Sequence, residues 1–171
     1  MFEIGQFIVY GSSGVCRVVD IGTITMEGMP EGRLYYTLEP CYVKGSRIMT
    51  PVDNTKTAMR SVITREQADE LIDHVRDMDM LWVEDERKRE ELYKSILAEC
   101  DCRGLVRIIK TIYRRQRKRL EEGKKLAVRD EKYFKQAENN LYSELAVVLE
   151  MNKDEVRDYM LARIDAQQET D

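Results

Sequence analysis

Residues 7–24, FIVYGSSGVCRVVDIGTI, decide the fold of the N-terminal part of the chain. Two runs rich in β-branched and aromatic residues, 7–10 and 15–24, flank the turn sequence GSSG. Glycine adopts positive φ angles at little cost, and serine favours turns. The segment therefore predicts a β-hairpin. A phosphate-binding loop is disfavoured, because a strand follows the glycines and the GK[ST] ending is missing.

Further short β-rich segments follow this hairpin. Residues 33–39 alternate between apolar and polar side chains, and residues 41–43 and 47–50 are also β-rich. Glycine and proline separate these segments, and Pro51 ends the last one. Four or five short strands spaced by tight turns predict a small all-β barrel of the SH3 or Tudor type over residues 1–60.

The pattern changes near residue 63. Thr64 and Gln67 have the spacing of a capping box, and no proline follows them. Apolar residues then recur at helical spacing, so we expect an all-α bundle of about five helices over residues 64–171, joined to the barrel by residues 53–63. The predicted helices follow Thr64, span about 82–99, begin at Leu105, span about 128–150 and begin at Asn152.

Charge is distributed unevenly along the chain. The net charge is −4 and the isoelectric point is about 5.3. Residues 1–63 carry six basic and six acidic residues, whereas residues 107–125 carry nine basic and two acidic residues, a net charge of +7. The local field decides where an anion is attracted, so this segment predicts phosphate contact, with a solvated bundle face as the alternative. Its candidate contacts are Arg107, Lys110, Arg114, Arg115, Arg117, Lys118, Lys124 and Lys125.

The sequence gives little support for a membrane protein, a metalloprotein or an enzyme. No apolar run is long enough for a membrane span and no signal peptide is visible, so we expect a cytoplasmic protein that does not bind membranes. The four cysteines are expected to be free thiols in that compartment. One histidine and no Cys-x-x-Cys pair make a metal site or cofactor unexpected. Without a catalytic constellation, we expect no enzymatic activity and no catalytic residues.

Trp82 is the only tryptophan, and we expect it at the start of the second helix. A lone tryptophan is most often a core or interdomain residue. The alternative is an exposed wedge that presses against a base step in the minor groove, as apolar side chains do in architectural DNA-binding proteins.

Residues 2–19, FEIGQFIVYGSSGVCRVV, resemble the opening of the CarD/CdnL family of bacterial transcription regulators, which is shared with transcription-repair coupling factor. That opening has the form G-x-x-V-V-Y-P-x-H-G-V-G. The matching residues are Gly5, Val9, Tyr10, Gly14 and Val15, while Gly11, Ser13 and Cys16 replace the usual proline, histidine and glycine.

The resemblance continues along nearly the whole chain. Residues 51–54 with Arg60, Val62 and Ile63 are similar to the family's P-x-[DE]-N…R-x-V-I stretch. Trp82 lies at the position of the family's tryptophan. Residues 105–113 and the segments from Gly123 to Glu144 are similar to the helices that follow.

This resemblance implies a function and a set of sites. In the family, the barrel binds the β subunit of RNA polymerase. The helical domain meets promoter DNA at the upstream edge of the bubble, where the tryptophan wedges into the minor groove and changes open-complex stability. It usually does so without reading the base sequence. By position, Ile24, Met26 and Met49 would contact the polymerase, and some relatives carry arginine at the first and last of these positions. We expect a monomer.

Two other functions remain open. One is an adaptor that binds polymerase through the barrel and another protein, never DNA, through the helices. The other is an RNA-binding module on the barrel, which the zero net charge of residues 1–63 and their lack of an aromatic platform disfavour. Binding to DNA should weaken steeply with salt only if phosphates are contacted.

Overall fold

The computed structural model describes residues 1–169. The chain divides into two compact units, residues 1–62, the sheet domain, and residues 63–171, the helical domain. Residues 170 and 171, which end the predicted helical domain, lie outside the described part of the chain.

The sheet domain is one antiparallel sheet of five strands in the order β4-β3-β2-β1-β5. The predicted hairpin is present, with Val9 opposite Val15, and a bulge lies between Val18 and Asp20. Bulges increase the twist of a sheet and bend it over its core. The strands are β1 (Phe7–Tyr10), β2 (Val15–Thr23), β3 (Leu34–Pro40), β4 (Ile48–Pro51) and β5 (Met59–Ser61).

The structure confirms an all-β N-terminal domain, but it shows an open sheet where a barrel was predicted. Within the described residues, no strand pairing joins β4 to β5. Residues 41–43 are a turn and not a strand, and β5 lies inside the predicted joint 53–63. β5 escapes sequence prediction because it has only three residues, and pairing with β1 defines it.

The turn between β1 and β2 explains one departure from the family pattern. Gly11 has φ 46° and its N–H donates to the carbonyl oxygen of Ala58 at 2.9 Å. A Cβ atom at this position would lie 2.6 Å from the side chain of Thr57. Proline fixes φ near −65°, so the family's usual proline does not fit this backbone.

Residues 63–169, the described part of the helical domain, contain five α-helices, as predicted. Thr64 forms the predicted capping box with Gln67, and the side chains of Asp85 and Asp101 cap the helices that follow them. Asn152 occupies the predicted N-cap position but makes no side-chain capping bond. The helices are α1 (Arg65–Asp73), α2 (Glu86–Glu99), α3 (Cys102–Glu121), α4 (Val128–Leu149) and α5 (Lys153–Ala166).

Each domain has its own core. In the sheet domain, Ile8, Val18, Tyr36 and Leu38 are fully or almost fully buried around the buried Cys16. In the helical domain, α3 and α4 supply most of the buried apolar side chains. Among the described helices, none is both long and apolar enough to cross a membrane.

Close packing of α2 on α3 depends on a glycine. A Cβ atom at Gly104 would lie 2.5 Å from the side chain of Ile96. Because α3 must approach α2 this closely, the first turn of α3 tolerates glycine despite its low helix propensity.

Candidate nucleic-acid interface

Trp82 lies in the segment 74–85 between α1 and α2, here called the Trp82 loop. Its side chain is 78% exposed, so it is not the core residue that a lone tryptophan usually is. Helix α2 begins at Glu86, later than predicted, because Asp85 takes the N-cap position and accepts a hydrogen bond from the N–H of Lys88. Trp82 therefore belongs to the loop and not to the helix.

Residue Leu81, directly before the tryptophan, anchors the loop to α3. Its side chain is 6% exposed, and its N–H donates to Oγ1 of Thr111 at 2.8 Å. The Thr111 hydroxyl in turn donates to the carbonyl oxygen of Arg107 at 2.7 Å. Because Leu81 is buried and hydrogen-bonded to α3, the loop directs the indole of the next residue, Trp82, outward.

Lys110 holds the earlier part of the loop. Its ammonium group donates to the carbonyl oxygens of Val75, Arg76 and Met78 at 2.7, 2.9 and 2.6 Å. Burial lowers the pKa of Lys110, and the nearby carboxylates of Asp77 and Asp79 oppose that shift. The predicted contact residue is thus committed to the loop backbone.

Two arginines complete this support. Arg107 Nε donates to the carbonyl oxygen of Asp79 at 3.1 Å. Arg89, in α2, is 5% exposed and donates to the carbonyl oxygens of Val83 and Glu84 at 3.1 and 3.3 Å. The loop backbone is therefore held on both sides of Trp82, by α3 before it and by α2 after it.

The second half of α3 presents cations beside the exposed indole. Two shallow grooves meet at Trp82, and Arg114, Arg115 and Lys118 line both of them. The side chains of Arg114, Arg117 and Lys118, here called the free cations, make no hydrogen bond or ion pair among the described residues. An aromatic face next to unpaired cations is a combination that binds nucleic-acid bases and phosphates.

The remaining predicted cations have protein partners or lie elsewhere. Arg115 Nε pairs with the buried carboxylate of Asp130 at 3.0 Å. Lys124 lies 3.8 Å from the carboxylate of Glu122, and the backbone of Lys125 accepts a hydrogen bond from Arg119 at 2.6 Å. Both lysines lie past the end of α3 and line neither groove.

A buried polar group lies near the Arg115–Asp130 pair. Within the described residues, the hydroxyl of Tyr93 is buried without a hydrogen-bond partner. Burial, reinforced by the charge of Asp130, raises the pKa of Tyr93 to about 12, while Arg89 and Arg115 act in the opposite direction. The hydroxyl therefore stays neutral at physiological pH.

Sequence reasoning missed Arg89 and Thr111. Arg89 stands in the charged run 84–91, which looks like an exposed, salt-bridged helix face, yet it is buried under the Trp82 loop. Thr111 sits in the buried stripe of α3 and gives no polar pattern of its own. Only the packing of the loop on the two helices identifies them.

The predicted polymerase contacts lie in the sheet domain. Met26 and Met49 are 57% and 55% exposed, and Ile24 is half-buried. Met49 lies opposite Thr37, and its neighbours Ile48 and Thr50 point the other way, toward the core. Met29 and Leu34 are also exposed apolar residues of this domain, and the sequence had not singled them out as contacts.

These features define a class of protein: a small antiparallel sheet domain with exposed apolar residues, and a helical domain with an exposed tryptophan beside free cations. Residues 2–63 match the family model of the CarD-like/TRCF RID domain, so the N-terminal part of the chain is a CarD-like domain, as the resemblance implied. RID stands for RNA polymerase-interacting domain, and the match connects the chain to transcription. No curated protein gave a match to the chain.

Proposed function

We propose that this protein regulates bacterial transcription by docking on the β subunit of RNA polymerase through the sheet domain. The helical domain contacts promoter DNA at the upstream edge of the bubble and changes the stability of the open complex. The protein works in the cytoplasm as a monomer, without a cofactor and without catalysis of its own. Its contacts to DNA are mostly independent of base sequence, because phosphate contacts position a protein without reading bases.

One observation carries the DNA-contacting part of this proposal: the 78% exposed Trp82 stands beside the free cations. Exposing a large aromatic side chain to water is unfavourable without a partner. Unpaired arginines and lysines close together repel one another, and phosphates relieve that repulsion. An indole for a base step and cations for the adjoining phosphates together fit the edge of melted DNA.

The test is the lifetime of open complexes formed by the cognate RNA polymerase with the full chain and with Trp82→Ala. Stacking of a base on an aromatic side chain contributes about 1–3 kcal/mol, so the substitution should shorten the lifetime at least about fivefold. Trp82→Phe is the matched control and should retain part of the effect. An unchanged lifetime in Trp82→Ala would refute the wedge.

The docking half of the proposal rests on the CarD-like domain and on the exposed Met26 and Met49. Met49→Asp places a charge on that surface and, because Met49 points away from the core, should leave the sheet intact. Capture of the polymerase by the full chain should fall at least about tenfold, the equivalent of 1.4 kcal/mol. Lys44→Asp, on an exposed turn, is the control. Equal capture by both variants would place docking elsewhere.

The second candidate function is an adaptor whose helical domain binds a protein. The observation in its favour is that exposed acidic residues, Glu84, Asp85 and Glu86, lie two to four residues after Trp82. Such residues repel phosphates, whereas an exposed tryptophan is also typical of protein interfaces.

A salt titration separates these two functions. Binding to a promoter duplex with a melted segment should weaken steeply between 50 and 200 mM salt if phosphates are contacted, since counterions are released on binding. An adaptor would show no such binding at any salt concentration.

A further inference from the structure

We propose that Thr111, Lys110 and Arg89 are positioning residues for Trp82, a role that rests on the proposed contact of Trp82 with DNA. They hold the Trp82 loop in one conformation before DNA arrives. Lys110 then belongs to the support of the tryptophan and not to the DNA-contacting surface where sequence reasoning had put it.

The density of contacts along the loop is the first argument. The loop contains no helix or strand between α1 and α2, and segments of this kind are ordinarily among the more mobile parts of a protein. Here the carbonyls of Val75, Arg76 and Met78 and the N–H of Leu81 are bonded by side chains of α3. The carbonyl oxygens of residues 83 and 84 accept hydrogen bonds from the side chain of Arg89.

The donor count of Lys110 is the second argument. An ammonium group has three N–H donors, and three carbonyl oxygens lie 2.6–2.9 Å from it. A phosphate would have to displace one of these carbonyls to gain a direct hydrogen bond. By contrast, Lys118 lies two turns further along α3, and its ammonium group has no partner among the described residues.

The benefit of such support follows from binding energetics. An exposed side chain on a mobile loop loses conformational freedom on binding, and that loss is subtracted from the affinity. A side chain held by its neighbours in the binding conformation loses less. Rigid backing is therefore expected behind Trp82, whose bulky ring must enter a narrow space between bases.

Thr111→Val tests the central link in the full chain, with Thr111→Ser as the matched control. Valine has nearly the shape of threonine but cannot accept the N–H of Leu81, whereas serine keeps the hydroxyl. Amide exchange of Leu81 should speed up about five- to tenfold in Thr111→Val, as expected for one lost buried hydrogen bond, and remain near wild type in Thr111→Ser.

Trp82 itself supplies a second measurement, because it is the only tryptophan in the chain. Its fluorescence anisotropy decay should show a larger amplitude of nanosecond motion in Thr111→Val than in Thr111→Ser or wild type. Equal amplitudes in all three proteins, with unchanged Leu81 exchange, would overturn the positioning role.

The functional measurement is a double-mutant cycle on open-complex lifetime. If Thr111 acts through Trp82, Thr111→Val should shorten the lifetime at least threefold in the wild-type background and leave it unchanged in the Trp82→Ala background. A merely structural role predicts the same factor in both backgrounds, and that result would overturn the proposal.

Two outcomes separate this proposal from the proposed function. If Trp82→Ala leaves the lifetime unchanged, the DNA contact of Trp82 fails, while exchange and anisotropy still decide whether the loop is held. If Trp82→Ala shortens the lifetime but Thr111→Val changes neither exchange nor anisotropy, only the positioning role fails.

Should Thr111→Val not fold, Lys110→Met can replace it in the anisotropy measurement, with Lys118→Met as its control. Equal amplitudes of nanosecond motion in these two variants would overturn the positioning role.

Discussion

Arg107 and Lys110, in the first half of α3, donate to backbone carbonyls of the Trp82 loop. The side chains of Arg114, Arg117 and Lys118, in the second half, donate to no group among the described residues. The same residue types on one helix thus fall into cations that hold the protein together and cations that face solvent. A count of basic residues, such as the net charge of +7 over residues 107–125, therefore overstates the surface available to an anion.

The strongest test of this difference between the two halves of α3 is the same substitution made once in each half. Lys110→Met removes three charge-assisted hydrogen bonds and should lower the free energy of unfolding by about 2 kcal/mol. Lys118→Met should change it by less than about 0.5 kcal/mol, as for most exposed residues. Urea unfolding followed by circular dichroism at 222 nm reports the helical domain, because every α-helix of the described residues lies there. Equal losses in the two variants would remove the distinction.

The reverse experiment concerns DNA. Replacing the two free cations that line both grooves, Arg114→Gln with Lys118→Gln, should weaken DNA binding at low salt by about tenfold, or 1.4 kcal/mol. The slope of log affinity against log salt should fall by up to about 1.8, or 0.9 for each lost phosphate contact. Lys124→Gln with Lys125→Gln removes the same charge beyond the grooves and is the control. The same loss in the control would show that only net charge matters.

A smaller difference in stability is expected between an arginine of the first half of α3 and one of the second half. Arg107→Gln removes one hydrogen bond to the carbonyl of Asp79 and should cost about 0.5–1 kcal/mol of unfolding free energy. Arg117→Gln, with no described partner to lose, should leave the midpoint of urea unfolding unchanged. A larger loss for Arg117 than for Arg107 would contradict the assignment of partners.

The smallest expected effect concerns two acidic residues of α2, one with protein partners and one exposed. Glu90 accepts a hydrogen bond from the Tyr133 hydroxyl at 2.8 Å and lies near Arg129 and Lys94, and these contacts lower the pKa of Glu90. A carboxyl whose pKa is lower in the folded state stabilises the fold above its unfolded pKa of about 4.3, and that stability is lost as pH falls through the folded pKa.

Urea midpoints measured from pH 7 down to pH 3 test this expectation. Glu90→Gln should lower the midpoint at pH 7, and its difference from wild type should shrink below about pH 4.3. Glu91→Gln, at the next and exposed position, is the control and should leave the midpoint at pH 7 unchanged. A difference for Glu90→Gln that grows in acid would contradict the sign of the shift.

Much of the fold was predictable because local signals agreed with the tertiary structure. The turn glycines Gly11 and Gly14 have positive φ angles, and Thr64 caps α1 with Gln67 as its spacing predicted. Strand β5 and the open edge of the sheet were not predictable. Three residues give no periodicity, and pairing between distant strands is not encoded locally.

The candidate site was predictable in its composition but not in its arrangement. The sequence identified Trp82 and the basic segment as separate features, and the structure brings Trp82 beside Arg114, Arg115, Arg117 and Lys118. The separation of Lys110 from these cations depends on where the Trp82 loop folds back on α3.

The sequence by itself determined the two domains' secondary-structure classes, the CarD-like character of the first domain and the identity of the exposed tryptophan as a candidate contact. Turn residues, helix caps and the spacing of apolar residues are local features, so a short stretch of consecutive residues is enough to recognise them. Only the tertiary structure decided which cations are free, which residues support Trp82, and that Arg89 is buried. Those facts depend on hydrogen bonds between groups up to 35 residues apart, whose partners no local pattern specifies.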